Sequence, residues 1–215
     1  MTYFVFTLGC KVNSYESSAI ATTLENKGYL LDNQNPDVVI INTCSVTHVA
    51  DQKSRQHIRK FRKQYPQAVL VVMGCFAQSN TEYAKNELDI DILLGTSKRS
   101  KISEYIDTFL KNKERIVDVD ENPRKFLKYE ELNVTSCSEN IRAYLKVQDG
   151  CDNFCSYCLV PYIRGKSRSR DFETVLEEAR QLVWKGYQEI VVSGIHVGWY
   201  GKDIHRSFSE LIEKL

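Results

Sequence analysis

Asp37-Val38-Val39-Ile40-Ile41-Asn42-Thr43-Cys44-Ser45-Val46-Thr47 is the stretch that decides how the first half of the chain folds. Four consecutive β-branched apolar residues suit a strand buried on both faces, as in a parallel sheet, and not the alternating pattern of a half-solvated one. A cysteine follows at the end of the run, and a helix is predicted from about Val46 to Gln64, stopping before Pro66. The same order recurs on either side. Tyr3–Leu8 reads as a strand ended by Gly9-Cys10, after which Asn13 and Glu16 form a capping box for a helix ending at Gly28. Val69–Met73 is another buried strand, ended by Gly74-Cys75, and Ile90–Leu94 is a further short one. Ile102, Tyr105, Ile106, Phe109 and Leu110 then share one helical face. Strands alternating with helices imply an α/β fold, with a doubly wound parallel sheet over residues 1–120.

The chain changes character over residues 121–140. Glu121-Asn122-Pro123-Arg124-Lys125 and Thr135-Ser136-Cys137-Ser138 are polar and aperiodic, which reads as a linker. A second βα series starts at Ile141, with a strand at Tyr144–Val147 and a helix burying Val175, Leu176, Ala179, Leu182 and Val183. A strand at Glu189–Ser193 follows. The last helix is capped by Ser207 and Glu210 and has Phe208, Leu211, Ile212 and Leu215 on one face. Two βα units cannot close a barrel and would leave bare sheet edges. Residues 141–215 are therefore expected to be the first two βα units of a (β/α) partial barrel.

Composition narrows the chemistry. The chain has 215 residues, 42% hydrophobic and 27% charged, with a formal net charge of +1, so any nucleic-acid affinity must come from local patches. Thr2–Leu8 is too short and lacks the basic flank of a signal peptide, and no apolar run is long enough to cross a bilayer. A cytoplasmic protein with no membrane partner is expected. Seven cysteines without an export signal argue for metal or redox use over disulfides.

Three of those thiols lie in Cys151-Asp152-Asn153-Phe154-Cys155-Ser156-Tyr157-Cys158, at the predicted end of a strand. The spacing is neither that of zinc ribbons nor that of the bacterial ferredoxin run. A structural zinc knuckle and an electron-transfer module remain the plainer alternatives. Cys10, Cys44 and Cys75 are far apart in sequence, yet each sits just past a predicted strand. In a parallel sheet those loops leave one edge, so distant thiols can converge. Gly9 and Gly74 precede two of them and would admit close backbone approach to a bulky inorganic group. A lone buried cysteine is usually only a small hydrophobe, and Cys137 is read that way.

The loop at Cys151–Cys158 resembles the signature of the radical S-adenosylmethionine superfamily. Thr7-Leu8-Gly9-Cys10-Lys11-Val12-Asn13, Asn42-Thr43-Cys44-Ser45-Val46-Thr47 and Val72-Met73-Gly74-Cys75 are similar to the methylthiotransferase family of radical enzymes. So is the segment Cys158-Leu159-Val160-Pro161-Tyr162-Ile163-Arg164-Gly165-Lys166-Ser167-Arg168-Ser169-Arg170, and together these motifs reach across essentially all of the chain. Leu8–Asn13 and Ser193-Gly194-Ile195-His196-Val197-Gly198-Trp199-Tyr200-Gly201 look most like the branch acting on threonylcarbamoyladenosine in tRNA. Sister branches modify isopentenyladenosine in tRNA or an aspartate of a ribosomal protein.

The resemblance implies two four-iron, four-sulfur (4Fe-4S) clusters and S-adenosylmethionine. Cys151, Cys155 and Cys158 would hold the cluster that binds S-adenosylmethionine and generates the 5′-deoxyadenosyl radical, with Tyr157 and Gly194 on the cofactor side. Cys10, Cys44 and Cys75 would hold an auxiliary cluster that carries sulfur to C2 of the adenine. It further implies a tRNA partner, a reductant such as flavodoxin or ferredoxin, a monomer, and no side chain acting as a conventional nucleophile. In the family an RNA-binding domain follows the barrel, so little activity is expected of these 215 residues alone. Two basic runs are candidate RNA contacts. One comprises Lys53, Arg55, Arg59, Lys60, Arg62 and Lys63; the other comprises Arg164, Lys166, Arg168 and Arg170, with Tyr162 placed to stack on a base.

Overall fold

Six parallel strands carry the first half of the chain: β1 (Thr2–Thr7), β2 (Leu30–Leu31), β3 (Val38–Thr43), β4 (Val69–Gly74), β5 (Ile92–Leu94) and β6 (Ile116–Asp118). Their order in the sheet is β2-β1-β3-β4-β5-β6. The connecting helices are α1 (Lys11–Glu25), α2 (His48–Gln64), α3 (Cys75–Ser79), α4 (Thr81–Glu87) and α5 (Ile102–Asn112). This computed structural model describes residues 1–134 and 142–215. They divide into two compact units, Met1–Glu121 and Asn122–Leu215.

The unbroken apolar run at Val38–Ile41 is explained by two cores, one on each face of the sheet. Val39 and Ile41 point with Leu70 and Val72 toward Ile58 and Phe61 of α2. Val38 and Ile40 point with Val69 and Val71 toward Ile20 and Leu24 of α1 and toward Ile102 and Ile106 of α5. All four residues of the run are fully buried. Each such side chain contributes about 1.5–3 kcal/mol by leaving water, which is why β3 occupies the middle of the sheet.

The expected strand at Ile90–Leu94 is shorter, Ile92–Leu94, the first helix ends at Glu25 and not at Gly28, and its expected cap fails. α1 starts at Lys11 with Cys10 as its N-cap, so Asn13 and Glu16 lie inside the helix and form no capping box. Both are fully buried, and the Asn13 amide is used between strand ends instead. α2 begins at His48 with Thr47 as its cap, whose side chain accepts the Ala50 N–H. The edge strands β2 and β6 have no periodic signature and are defined by their pairing with β1 and β5, and the helices α3 and α4 are too short to show one.

The second unit contains β7 (Arg142–Asp149), α6 (Val160–Ile163), β8 (Arg168–Ser169), α7 (Phe172–Trp184), β9 (Glu189–Gly194) and α8 (Phe208–Lys214). β9 pairs parallel with β7, whereas β8 adds antiparallel on the other side. Leu145, Val147, Val175, Leu176, Ala179 and Leu211 form its core. The Ser207–Glu210 capping box of α8 is present as expected. Val183 is not buried: with Trp184, Ile212 and Leu215 it remains exposed, because the apolar arcs of α7 and α8 are wider than the small sheet they cover. Residues 122–134, expected to be a linker, group with this unit. Tyr129 donates its hydroxyl to Lys146 O at 3.0 Å, and Arg170 donates to Leu132 O at 3.2 Å. Cys137 and Ile141 lie outside the described residues. Among the described residues, no helix is long and apolar enough to cross a membrane.

Candidate thiol centres

In the first unit, β1, β3 and β4 are adjacent and parallel, so their C-terminal ends share one edge. The ladder pairs Thr7 with Asn42 and Thr43 with Gly74. Cys44 is the residue after β3, Cys75 is the residue after β4, and Cys10 caps the helix that follows β1. The sheet therefore brings the three sequence-distant cysteines to one edge. Gly9 closes the arrangement: its φ is +109°, and a Cβ there would lie 2.8 Å from Cys44 Cβ and 3.1 Å from Cys44 Sγ. Only glycine lets the first loop press against the second at that angle. Gly74, at φ +98°, is similarly enclosed by Asn42 Oδ1 and Thr43 O.

Polar side chains lock these loops together. Asn13 Nδ2 donates to Leu8 O at 2.8 Å and to Thr43 O at 3.0 Å. Asn42 Nδ2 donates to Asn13 O at 3.0 Å and to Ser17 Oγ at 3.1 Å. The Cys10 thiol donates to Asn13 Oδ1 at 3.6 Å, and the Cys44 N–H donates to Ser54 Oγ at 3.3 Å. Asn13 and Asn42 were missed as site residues by sequence reasoning. For Asn42 the available signal was an amide directly after the apolar run Val38–Ile41.

In the second unit, Cys151 is buried, Cys158 half-buried and Cys155 exposed. The Cys151 N–H donates to Gly165 O at 3.0 Å and the Cys158 N–H to Cys155 O at 2.9 Å. Asp152 ties the loop down, accepting from Arg124 at 2.8 Å and from the Ser167 N–H at 3.1 Å. Burial alone would push its carboxyl up; those two donors outweigh burial and hold it below the usual range. Arg124 also lies 4.6 Å over the Phe154 ring, and Tyr162 meets that ring edge-on at 5.5 Å. Tyr157 is 87% exposed, and Gly194 pairs with Gln148 at the end of β9.

Among the described residues, no three His, Cys, Asp or Glu side chains are gathered as tightly as a metal ion requires. What the fold provides is the donor type and its delivery: two trios of thiols, one on three adjoining strand ends and one on a single loop. Thiolates are the ligands iron–sulfur clusters use, so the residues present fit such a group.

The basic runs are changed by the fold. Arg55 pairs with Asp51 and lies 4.9 Å over Tyr83. Arg62 pairs with Asp91 at 2.6 Å and donates to Ala68 O at 3.1 Å. Both are therefore engaged within the unit; Arg59 also donates to the Tyr83 hydroxyl at 2.7 Å but stays exposed along α2, as do Lys53, Lys60 and Lys63. The second run is corrected more sharply. Arg164 and Arg168 are buried around Asp149, at 3.1 and 3.6 Å, and Lys146 reaches the same carboxylate at 2.7 Å. Arg170 is fully buried between Glu178 and Glu131, at 2.8 Å each. Only Lys166 of that run is exposed. Charge alone does not reveal a partner outside the run, and here the partners are carboxylates of the same unit.

Comparison with known proteins agrees with this division. Residues 2–95 match the family described as "Uncharacterized protein family UPF0004", and residues 145–214 match the "Radical SAM superfamily". The chain is 44% identical over 212 residues to the threonylcarbamoyladenosine tRNA methylthiotransferase MtaB of Bacillus subtilis, covering 97% of this chain and 47% of that protein. It is 39% identical over 214 residues to the protein of the same name from Thermotoga maritima, covering 99% and 48%. Against the tRNA-2-methylthio-N(6)-dimethylallyladenosine synthase of Carboxydothermus hydrogenoformans it is 34% identical over 222 residues, covering 98% and 50%. The chain thus spans about half the length of the curated relatives it matches. In fold it is similar to the radical S-adenosylmethionine methyltransferase TsrM of Kitasatospora setae, with a TM-score of 0.61 at 14% identity, covering 99% of this chain and 52% of that one.

A parallel α/β unit matching UPF0004, followed by a βα series with a three-cysteine loop, defines a radical S-adenosylmethionine protein. The similarity to its relatives, over nearly the whole of this chain, is more specific. The chain belongs to the radical S-adenosylmethionine methylthiotransferase family.

Proposed function

We propose that this protein is a cytoplasmic tRNA methylthiotransferase, placing a methylthio group on C2 of threonylcarbamoyladenosine beside the anticodon. The observation that carries this is the delivery of Cys10, Cys44 and Cys75 to one sheet edge by three adjacent strands. A pure electron carrier or a zinc knuckle in the later loop would not call for that second trio.

Clusters held by Cys10, Cys44 and Cys75 and by Cys151, Cys155 and Cys158 would supply sulfur and one-electron reduction of S-adenosylmethionine, respectively. The chain's own residues position these groups. Asn13 and Gly9 hold the first three loops in register, and Asp152 with Arg124 holds the second loop. No side chain is assigned as a base, because an aromatic C2–H is too weakly acidic for the roughly 10²–10⁴-fold of ordinary acid–base catalysis to suffice. Exposed Lys53, Arg59, Lys60 and Lys63 support contact with tRNA phosphates, and exposed Tyr157 and Tyr162 offer ring faces to a base or to the adenosyl group. A flavodoxin or ferredoxin would deliver the electron, and the protein would act as a monomer.

The substrate branch is supported by the strand-end sequence Ser193–Gly201 and by the identities to threonylcarbamoyladenosine enzymes. Mass spectrometry of tRNA from a deletion strain tests it. Loss of the methylthio mark from threonylcarbamoyladenosine alone is expected; loss from isopentenyladenosine instead would move the protein to the sister branch. Anaerobic reconstitution with S-adenosylmethionine should release 5′-deoxyadenosine, and no release would leave the electron-transfer and zinc readings, which metal analysis then separates.

A further inference from the structure

Gln148, the penultimate residue of β7, is completely buried. Its amide is the meeting point of three separate segments. Nε2 donates to Asp149 O at 2.9 Å and to Gly150 O at 2.7 Å, the two carbonyls immediately before Cys151. It also reaches Ser167 Oγ at 2.9 Å, in the segment returning from α6. Oε1 accepts the His196 N–H at 2.7 Å, in the segment leaving β9. Both ends of one amide are thus fully used.

The backbone accommodates this arrangement. The β7–β9 ladder shifts register between Lys146 and Gln148, which sets Gln148 opposite Gly194. A Cβ at Gly194 would lie 3.0 Å from both Gln148 Cβ and Gln148 O, and 3.1 Å from Oε1. A side chain at position 194 would crowd Gln148, which would have to give by a few tenths of an ångström. The glycine that sequence reasoning assigned to the cofactor therefore also has a structural partner.

We propose that Gln148 is a positioning residue for the thiol loop: it fastens the backbone entering Cys151 to the exit of β9, so that both are in place before any cluster binds. The link to catalysis rests on the proposed role of Cys151 as a ligand, but the fastening itself does not. A buried amide whose partners are all backbone or hydroxyl groups is costly to replace, since each orphaned carbonyl loses a bond that water cannot restore.

The test is cysteine alkylation of the cluster-free full chain under anaerobic conditions, read residue by residue by mass spectrometry, together with amide hydrogen exchange at His196. Gln148→Glu keeps the acceptor for His196 but loses both N–H donors; Gln148→Met loses both functions. Alkylation of buried Cys151 should rise about tenfold in both variants, the opening expected when hydrogen bonds of ordinary strength are lost. Exposed Cys155 and Cys44 of the first unit should keep their rates. His196 protection should survive in Gln148→Glu and disappear in Gln148→Met, a split that general loosening would not produce. If either variant fails to fold, Ser167→Ala should still raise the Cys151 rate severalfold. An unchanged Cys151 rate, or a parallel rise at Cys155 and Cys44, overturns the proposal. Reconstitution that leaves the second trio without iron would instead sink the ligand reading and leave the alkylation result standing.

Discussion

The two units each present a trio of thiols, on one sheet edge and on one loop, by opposite routes. The first takes one cysteine from each of three parallel strand ends, so its geometry is inherited from a core that covers both faces of a six-stranded sheet. The second takes all three from one loop on a three-stranded sheet, and its geometry depends on side-chain ties: Gln148, Asp149 and the Arg124–Asp152 pair. Hydrophobic burial is non-directional and tolerant of small changes, whereas a buried polar network loses most of its value when one member is removed. The second loop should therefore be the more fragile of the two.

The largest expected effect tests that contrast. Asp149→Ala takes away the carboxylate shared by Lys146, Arg164 and Arg168, and should cost about 3–5 kcal/mol in the second unit. Chemical denaturation followed at Trp184 and Trp199 should show it, with the first unit, which has no tryptophan, unaffected by hydrogen exchange. A cost near zero would break the comparison.

Asn13→Ala is the corresponding blow to the first unit. It strips donors from Leu8 O and Thr43 O and should cost about 3 kcal/mol, as for two or three buried groups left unmet. Gly9→Ala should cost about 2 kcal/mol, from positive-φ strain and from overlap with Cys44. Iron content after reconstitution should fall in both variants while the second unit keeps its melting behaviour. If Asn13→Ala melts like the parent, the strand ends hold the thiols without polar help.

A smaller effect separates capping from the loop network. The Thr174 N–H and hydroxyl hold the Asp171 carboxyl below the usual range at the start of α7. A folded pKa below the unfolded one means the stabilisation is present above about pH 4 and is lost as pH falls through the depressed value. Asp171→Ala should cost about 1 kcal/mol near neutrality. Asp171→Asn should flatten the acid limb of stability against pH, and an unchanged limb would contradict the cap.

The smallest stability effect comes with a binding effect. Lys60 and Lys63 lie on the exposed face of α2, so Lys60→Glu with Lys63→Glu should leave stability within about 0.5 kcal/mol. Filter binding should show weaker tRNA affinity and a salt slope shallower by about 0.9 for each lost phosphate contact. Unchanged affinity would remove α2 from the RNA surface.

Much of the architecture could be read directly from the residues. Runs such as Val38–Ile41 and Val69–Met73 announce strands buried on both faces, and the helical face of Ile102, Ile106 and Phe109 announces its core. The cysteines declare themselves by standing after those strands. Strand edges β2 and β6 escaped notice because two or three residues carry too little pattern, and Val183 was misplaced because periodicity cannot say how wide a covering sheet will be.

Local sequence order thus settled the main strands and longer helices, where the thiols would sit along them, and that the first sheet would be parallel; these follow from periodicity and steric preference within a few residues. The fate of each polar side chain was settled only in three dimensions. Asn13 became a brace between strand ends instead of a cap, Arg164, Arg168 and Arg170 turned inward to carboxylates instead of outward to phosphate, and Gln148 became the knot of the second loop. A buried charge or amide must find its partner wherever the chain brings one, and that distance in sequence has no local signature.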